Sequence, residues 1–159
     1  MKMKSATALR FLLKTAINIY RDKYKPGQDE DDMVVSPQLA LLDENGLSGF
    51  VDPTQVNSLF QSDREKSLIP IIVERLLEQY TGVVLISETF IVESTPEEVD
   101  KIKVQPSEHP QRQQALMLIL YERGHKQTML SQKVAKGKTV GKPSKFDDGS
   151  VGGLLSLTR

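Results

Sequence analysis

The stretch Ala115-Leu116-Met117-Leu118-Ile119-Leu120-Tyr121 is apolar at odd and even positions alike. Successive side chains of a strand point to opposite faces, so a half-exposed strand alternates apolar with polar. This one does not alternate and needs cover on both sides. Val83-Val84-Leu85-Ile86, continuing into Phe90-Ile91-Val92, has the same character. Two such strands predict a sheet enclosed between helices, because a sheet face buries its apolar side chains only against another element.

Helices to cover the two faces lie on the N-terminal side. Leu9, Leu12, Leu13, Ala16, Ile17, Tyr20 and Tyr24 form one stripe of a 3.6-residue period, with Ser5 as N-cap and Pro26-Gly27 as the stop. Phe11 and Ile19 fall off that stripe and predict a second apolar contact. Leu68, Ile69, Ile72, Val73, Leu76, Leu77 and Tyr80 form another stripe, starting from Ser62-Asp63. Pro70 must then sit in the first turn, where a missing amide donor costs least. Between the two stripes, Gln38–Asp43 and Leu47–Val51 flank Asn45-Gly46, which predicts a hairpin with a type I′ turn. Asp52-Pro53 opens a short helix through Phe60. Gln127–Val134 returns as a third, more polar strand after a turn at Glu122–His125.

The expectation is an α+β fold, α-β-β-α-β-β-β, with a five-stranded, mainly antiparallel sheet sandwiched between helices in a single domain over residues 1–135. Residues 136–159 read as a flexible basic, Gly-rich C-terminal tail ending in the cluster Leu154, Leu155 and Leu157. This element order resembles the roadblock/longin/profilin-like domains, and the resemblance implies a docking or scaffolding role. Ser87-Glu88 on a strand, followed by Pro106-Ser107-x-His109-Pro110-x-Arg112 before an apolar strand, resembles a loose group of uncharacterised small bacterial and phage proteins. That likeness implies a bacterial or phage origin and no particular activity.

Composition removes several function classes. With no Cys there is no disulfide framework, thiolate nucleophile or Cys-ligated zinc, which fits a reducing, cytoplasmic location. Arg10, Lys14 and Asn18 break the N-terminal apolar stretch, so it is read neither as a secretory leader nor as a membrane span. His109 and His125 lack metal-ligand spacing, and the acidic run Gln28–Asp32 lacks the glycine and terminal Glu of a calcium loop, so no metal or cofactor is expected. Gly137-Lys138-Thr139 ends no phosphate loop, since Gln132 stands where that motif needs its first glycine.

The polar groups left for chemistry concentrate in the long segment between the two apolar strands. His109 is a candidate acid or base, Glu88, Glu93 or Glu122 a candidate orienting carboxylate, and Arg112 a candidate anion holder. These define a small hydrolase or transferase as the alternative reading. The leading expectation is a non-enzymatic binding or assembly protein. Its contacts would come from the 93–112 segment, with Ser107, Glu108, His109 and Arg112, and from the tail, with Lys136, Lys138, Lys142, Lys145, Leu154 and Leu155. Self-association or a protein partner follows from the surplus apolar residues. Nucleic acid is the third expectation: the zero net charge divides into 13 bases against 19 acids through Glu122 and eight against two from Arg123 onward.

Overall fold

The structure, a computed structural model, describes residues 5–27, 33–91, 113–124 and 126–146. The acidic run from residue 28 to 32, the 92–112 segment, His125 and residues 147–159 lie outside the described residues. The elements are α1 (Ser5–Lys23), β1 (Gln38–Asp43), β2 (Gly46–Phe50), α2 (Pro53–Ser58), α3 (Asp63–Lys66), α4 (Ile69–Leu76), β3 (Gly82–Ile91), β4 (Gln113–Glu122), β5 (Lys126–Ala135) and β6 (Lys138–Phe146). The strands form one open antiparallel sheet in the order β2-β1-β3-β4-β5-β6.

Strand parity sorts the core as expected. Ala40, Leu42, Val84, Ile86, Leu116, Leu118, Leu120, Leu130 and Val134 pack with the α1 stripe of Leu9, Leu12, Leu13, Ala16 and Tyr20. The odd-numbered set, Leu39, Leu41, Val83, Leu85, Ala115, Met117, Ile119 and Met129, packs against Val56, Ile69 and Val73 from α2 and α4. Leu116 and Leu118 on one face and Ala115 on the other have no solvent exposure, and Met117 beside it is 2% exposed, which is why neither parity of β4 tolerates a polar residue.

The helices covering the second face are shorter than the apolar stripe suggests. Ser62 caps α3 by accepting the Glu65 amide, and Pro70 takes the first turn of α4. Beyond Leu76 the chain tightens: the Glu78 and Gln79 amides donate three residues back, to Arg75 and Leu76. Tyr80 therefore packs from a turn rather than from the helix expected to reach it.

Two hairpin turns correct the sequence reading. In β1–β2, Asp43 pairs with Gly46, so the turn residues are Glu44 and Asn45 rather than Asn45-Gly46. The Asp43 carboxylate accepts the Asn45 amide at 2.8 Å, and the positive φ of 116° falls on Gly46. A side-chain hydrogen bond that fixes the turn from Asp43 moves the glycine one place outward from a type I′ arrangement.

The larger correction is a sixth strand. Residues 138–146, expected within a flexible tail, form β6 on β5. Ala135 pairs with Lys138 across a two-residue turn in which Lys136 and Gly137 have φ of 51° and 80°, a type I′ pair. Backbone pairing holds β6, not apolar burial, since Lys138, Val140 and Gly141 through Lys145 are exposed. An edge strand of this kind carries no hydrophobic period to read. The pairing is irregular between Ser131 and Lys133, where the buried Gln132 side chain donates to the carbonyls of Val140 and Gly141, each at 3.2 Å.

Candidate functional site

Glu88 is the described member of the expected catalytic set that sits at the 92–112 segment. It interrupts an apolar strand and is 8% exposed, so its charge needs partners. The partners are backbone amides. One carboxylate oxygen accepts from Val34 N and Val35 N, both at 2.9 Å, and the other accepts from the Gln114 side-chain amide. The carboxylate thus pins the segment entering β1 onto the α1 face of the sheet.

That arrangement separates Glu88 from the other described charged candidates. Lys126 stands opposite Glu122 and not Glu88, which stands opposite Leu116. Six positions along β4 separate the two sites, roughly 20 Å at the rise of an extended strand. Glu88 and Glu122 are accordingly no acid/base pair; Glu122 accepts from the Ser5 hydroxyl at 3.4 Å, at the start of α1. Ile91 pairs with Gln113, so the 92–112 segment leaves and re-enters the sheet at adjacent positions. Glu93, Ser107, Glu108, His109 and Arg112 lie within it, outside the described residues, as do Leu154 and Leu155. Lys136, Lys138, Lys142 and Lys145 all belong to the β5–β6 hairpin and are exposed.

A cleft of about 260 Å³ lies between α4 and the β4–β5 turn. Val73, Leu77 and Tyr121 are among the residues lining it, with Glu74, Glu78, Arg123 and Lys126 also present. Arg123 Nε donates to the Leu77 carbonyl at 2.7 Å, closing the end of α4. Burial pushes the Tyr121 phenol up to about 12, from the ordinary value of 10.0. A phenol held neutral in the fold but free to ionise when unfolded stabilises the native state fully below pH 10. That stability drains away as pH rises from 10 towards 12, by about 2 kcal/mol for this half-buried group. Urea titrations at pH 8 and 11.5 should show the loss, and Tyr121→Phe should shrink it; an unchanged pH slope in that variant would assign the loss elsewhere.

On the opposite flank, Phe11 and Phe50 are 52% and 48% exposed. Phe50 pairs with Ala40, which places it on the α1 side, where it joins Thr15 and Ile19 around a shallow groove beside the β2 edge. Phe11, Thr15 and Ile19 follow one another four residues apart, along one line of α1. Of the two off-stripe apolar residues of α1, Ile19 thus meets the open edge of the sheet. Phe50 was not anticipated; the hairpin reading identified its strand but not which end of the sheet that strand occupies.

Among the described residues, no group of three or more His, Asp or Glu side chains is placed to hold a metal ion. None of their helices is long and apolar enough to cross a membrane. Neither a family model, nor a curated protein, nor a solved structure matches this chain.

Proposed function

We propose that this chain is a non-enzymatic assembly protein that associates with a second copy of itself along β2 and the adjoining flank of α1. The observation that carries this reading is the exposed Phe50 on the edge strand β2, beside Thr15 and Ile19 of α1, with no charged side chain between Gly46 and Phe50; Phe11 is a second exposed aromatic on the same helix. When an edge strand pairs with its own copy about a two-fold axis, each residue meets residues of the same strand. An uncharged edge accepts that geometry. The β6 edge would bring Lys138, Lys142 and Lys145 against their own copies and add Pro143, which has no donor. The two edges differ in the property that decides self-pairing. Supporting it further, the Glu88 carboxylate is occupied by backbone amides and Gln114. The same proposal assigns additional contacts to residues 93–112 and to Leu154 and Leu155, in a protein of bacterial or phage origin.

Sedimentation equilibrium from micromolar to several hundred micromolar should show a mass rising from 17.8 kDa towards twice that value. Replacing both aromatics, Phe11→Ser with Phe50→Ser, should hold it at the monomer with an unchanged circular dichroism spectrum, since both side chains are exposed. A monomer at every concentration would remove the basis of the proposal. So would an association that survives the double substitution and yields instead to Leu154→Ser with Leu155→Ser.

A further inference from the structure

We infer that the β5–β6 hairpin is a polyanion-binding ribbon whose ligand is the phosphodiester backbone of a nucleic acid. This inference is independent of self-association and uses the opposite edge of the sheet. Between Lys126 and Phe146 the chain carries six lysines and no Asp or Glu, although the preceding part of the chain has an acidic excess. Lys136, Lys138, Lys142 and Lys145 are all exposed. From Lys138, opposite Ala135, to Lys145, opposite Leu130, the charges extend over roughly 20 Å of edge strand. Over that length one strand of a duplex carries about six phosphates.

The ribbon is held in place before any ligand arrives. The Gly137 amide donates to the Tyr20 hydroxyl at 3.0 Å, fastening the turn to α1. Gln132 anchors the irregularity in β6 from inside the sheet. At the tip, Lys136 occupies a left-handed position, φ 51°, where Asn or Gly would fit with less strain. A long, exposed cation is thus kept in the two-residue turn of the hairpin, against its backbone preference.

The chemistry of the surface selects the class of partner. Among the described side chains of the ribbon, Val140 is the large apolar one that is exposed, at 42%, so a protein interface would find few of the aromatic or aliphatic anchors that dominate binding energy there. A lipid surface would likewise find little apolar area to insert. Every cation from residue 126 to 146 is a lysine, a point charge without the guanidinium fork that reads guanine edges. Contact with phosphates, insensitive to base sequence, is what this composition supports. Lysines on an edge strand also guard it against unwanted pairing. Any charge serves that guarding purpose, whereas phosphate binding needs a positive one, and the test turns on this difference.

The full chain would be titrated into a labelled 20-nucleotide oligothymidine, and separately into a 20-base-pair duplex, with fluorescence anisotropy as the readout. Binding to either at 50 mM salt is expected, weakening roughly 50- to 150-fold at 200 mM if about four phosphates are neutralised. Lys138→Glu, Lys142→Glu and Lys145→Glu together keep the edge charged and should lower affinity at least tenfold. A matched reversal elsewhere, Lys14→Glu, Arg64→Glu and Lys66→Glu, should leave it within about threefold. The inference is overturned if neither oligonucleotide binds at 50 mM salt, or if both triple variants lose affinity equally. Capture by phosphatidylserine vesicles without oligonucleotide binding would overturn it as well.

Discussion

Glu88→Ala should cost about 3–5 kcal/mol of folding stability, the largest effect of any polar substitution in the described residues. Hydrogen bonds to a charged acceptor contribute about 1.5–3 kcal/mol each, and a buried donor stripped of its partner loses about 1–3 kcal/mol more. Alanine strips two consecutive amides at once, Val34 N and Val35 N, and leaves the Gln114 amide without its carboxylate. Val35 is 4% exposed, so water does not readily take over. Urea unfolding would show the loss directly, and the midpoint temperature should fall by roughly 10 °C for a chain of this length. Glu88→Gln keeps one acceptor oxygen and should fall between the two. A loss below about 1 kcal/mol in Glu88→Ala would mean that the carboxylate does not hold the entry to β1.

Gly137→Ala should destabilise by about 2–4 kcal/mol through two separate causes. The residue has φ +80°, a conformation that side chains strain to adopt, and an added Cβ would stand 2.8 Å from Tyr24 Cδ1 and 3.2 Å from Cγ. The ring has little room to retreat, because Tyr24 stacks obliquely on Tyr20 with centroids 5.9 Å apart. Tyr20 in turn accepts the Gly137 amide, so moving the ring disturbs the same fastening. Burial raises the Tyr20 phenol above its ordinary value, followed by smaller contributions that include the Glu88 charge. Tyr20→Phe separates the causes: it removes the acceptor alone and should cost about 1 kcal/mol. If Gly137→Ala proves no worse than Tyr20→Phe, the close approach to Tyr24 is relieved without cost and the steric half of the argument fails.

What the sequence disclosed follows the type of force involved. The helix stripe of Leu9 to Tyr20 and the double-parity strands 83–86 and 115–121 are recorded as apolar spacing, and both faces of the sheet follow from them. Hydrogen-bonding partners on the backbone leave no such record. Nothing in the sequence marks Val34 or Val35 as donors to Glu88. The strand at 138–146 was hidden for a related reason: its exposed side chains follow the demands of solvent and edge protection rather than burial. A trace was present nonetheless. Lys136-Gly137 separates Val134 from Thr139, which face each other in the hairpin, and a glycine in the second place of a two-residue connection is a turn signal.

Among the described residues, two hydrogen bonds that tie α1 down, from Ser5 to Glu122 and from Gly137 to Tyr20, each span 117 residues. During synthesis, α1 is thus made before the strands that cover it and is among the last of the described elements to be secured. Its apolar stripe must wait for β4 and β5, because Leu116, Leu118, Leu120, Leu130 and Val134 supply much of its floor. Until then an amphipathic helix stands with its face uncovered, a state in which hydrophobic surfaces recruit whatever is near. Folding rate should consequently be limited by long-range closure rather than by helix formation. A chaperone that captures nascent apolar helices would find its opportunity at α1.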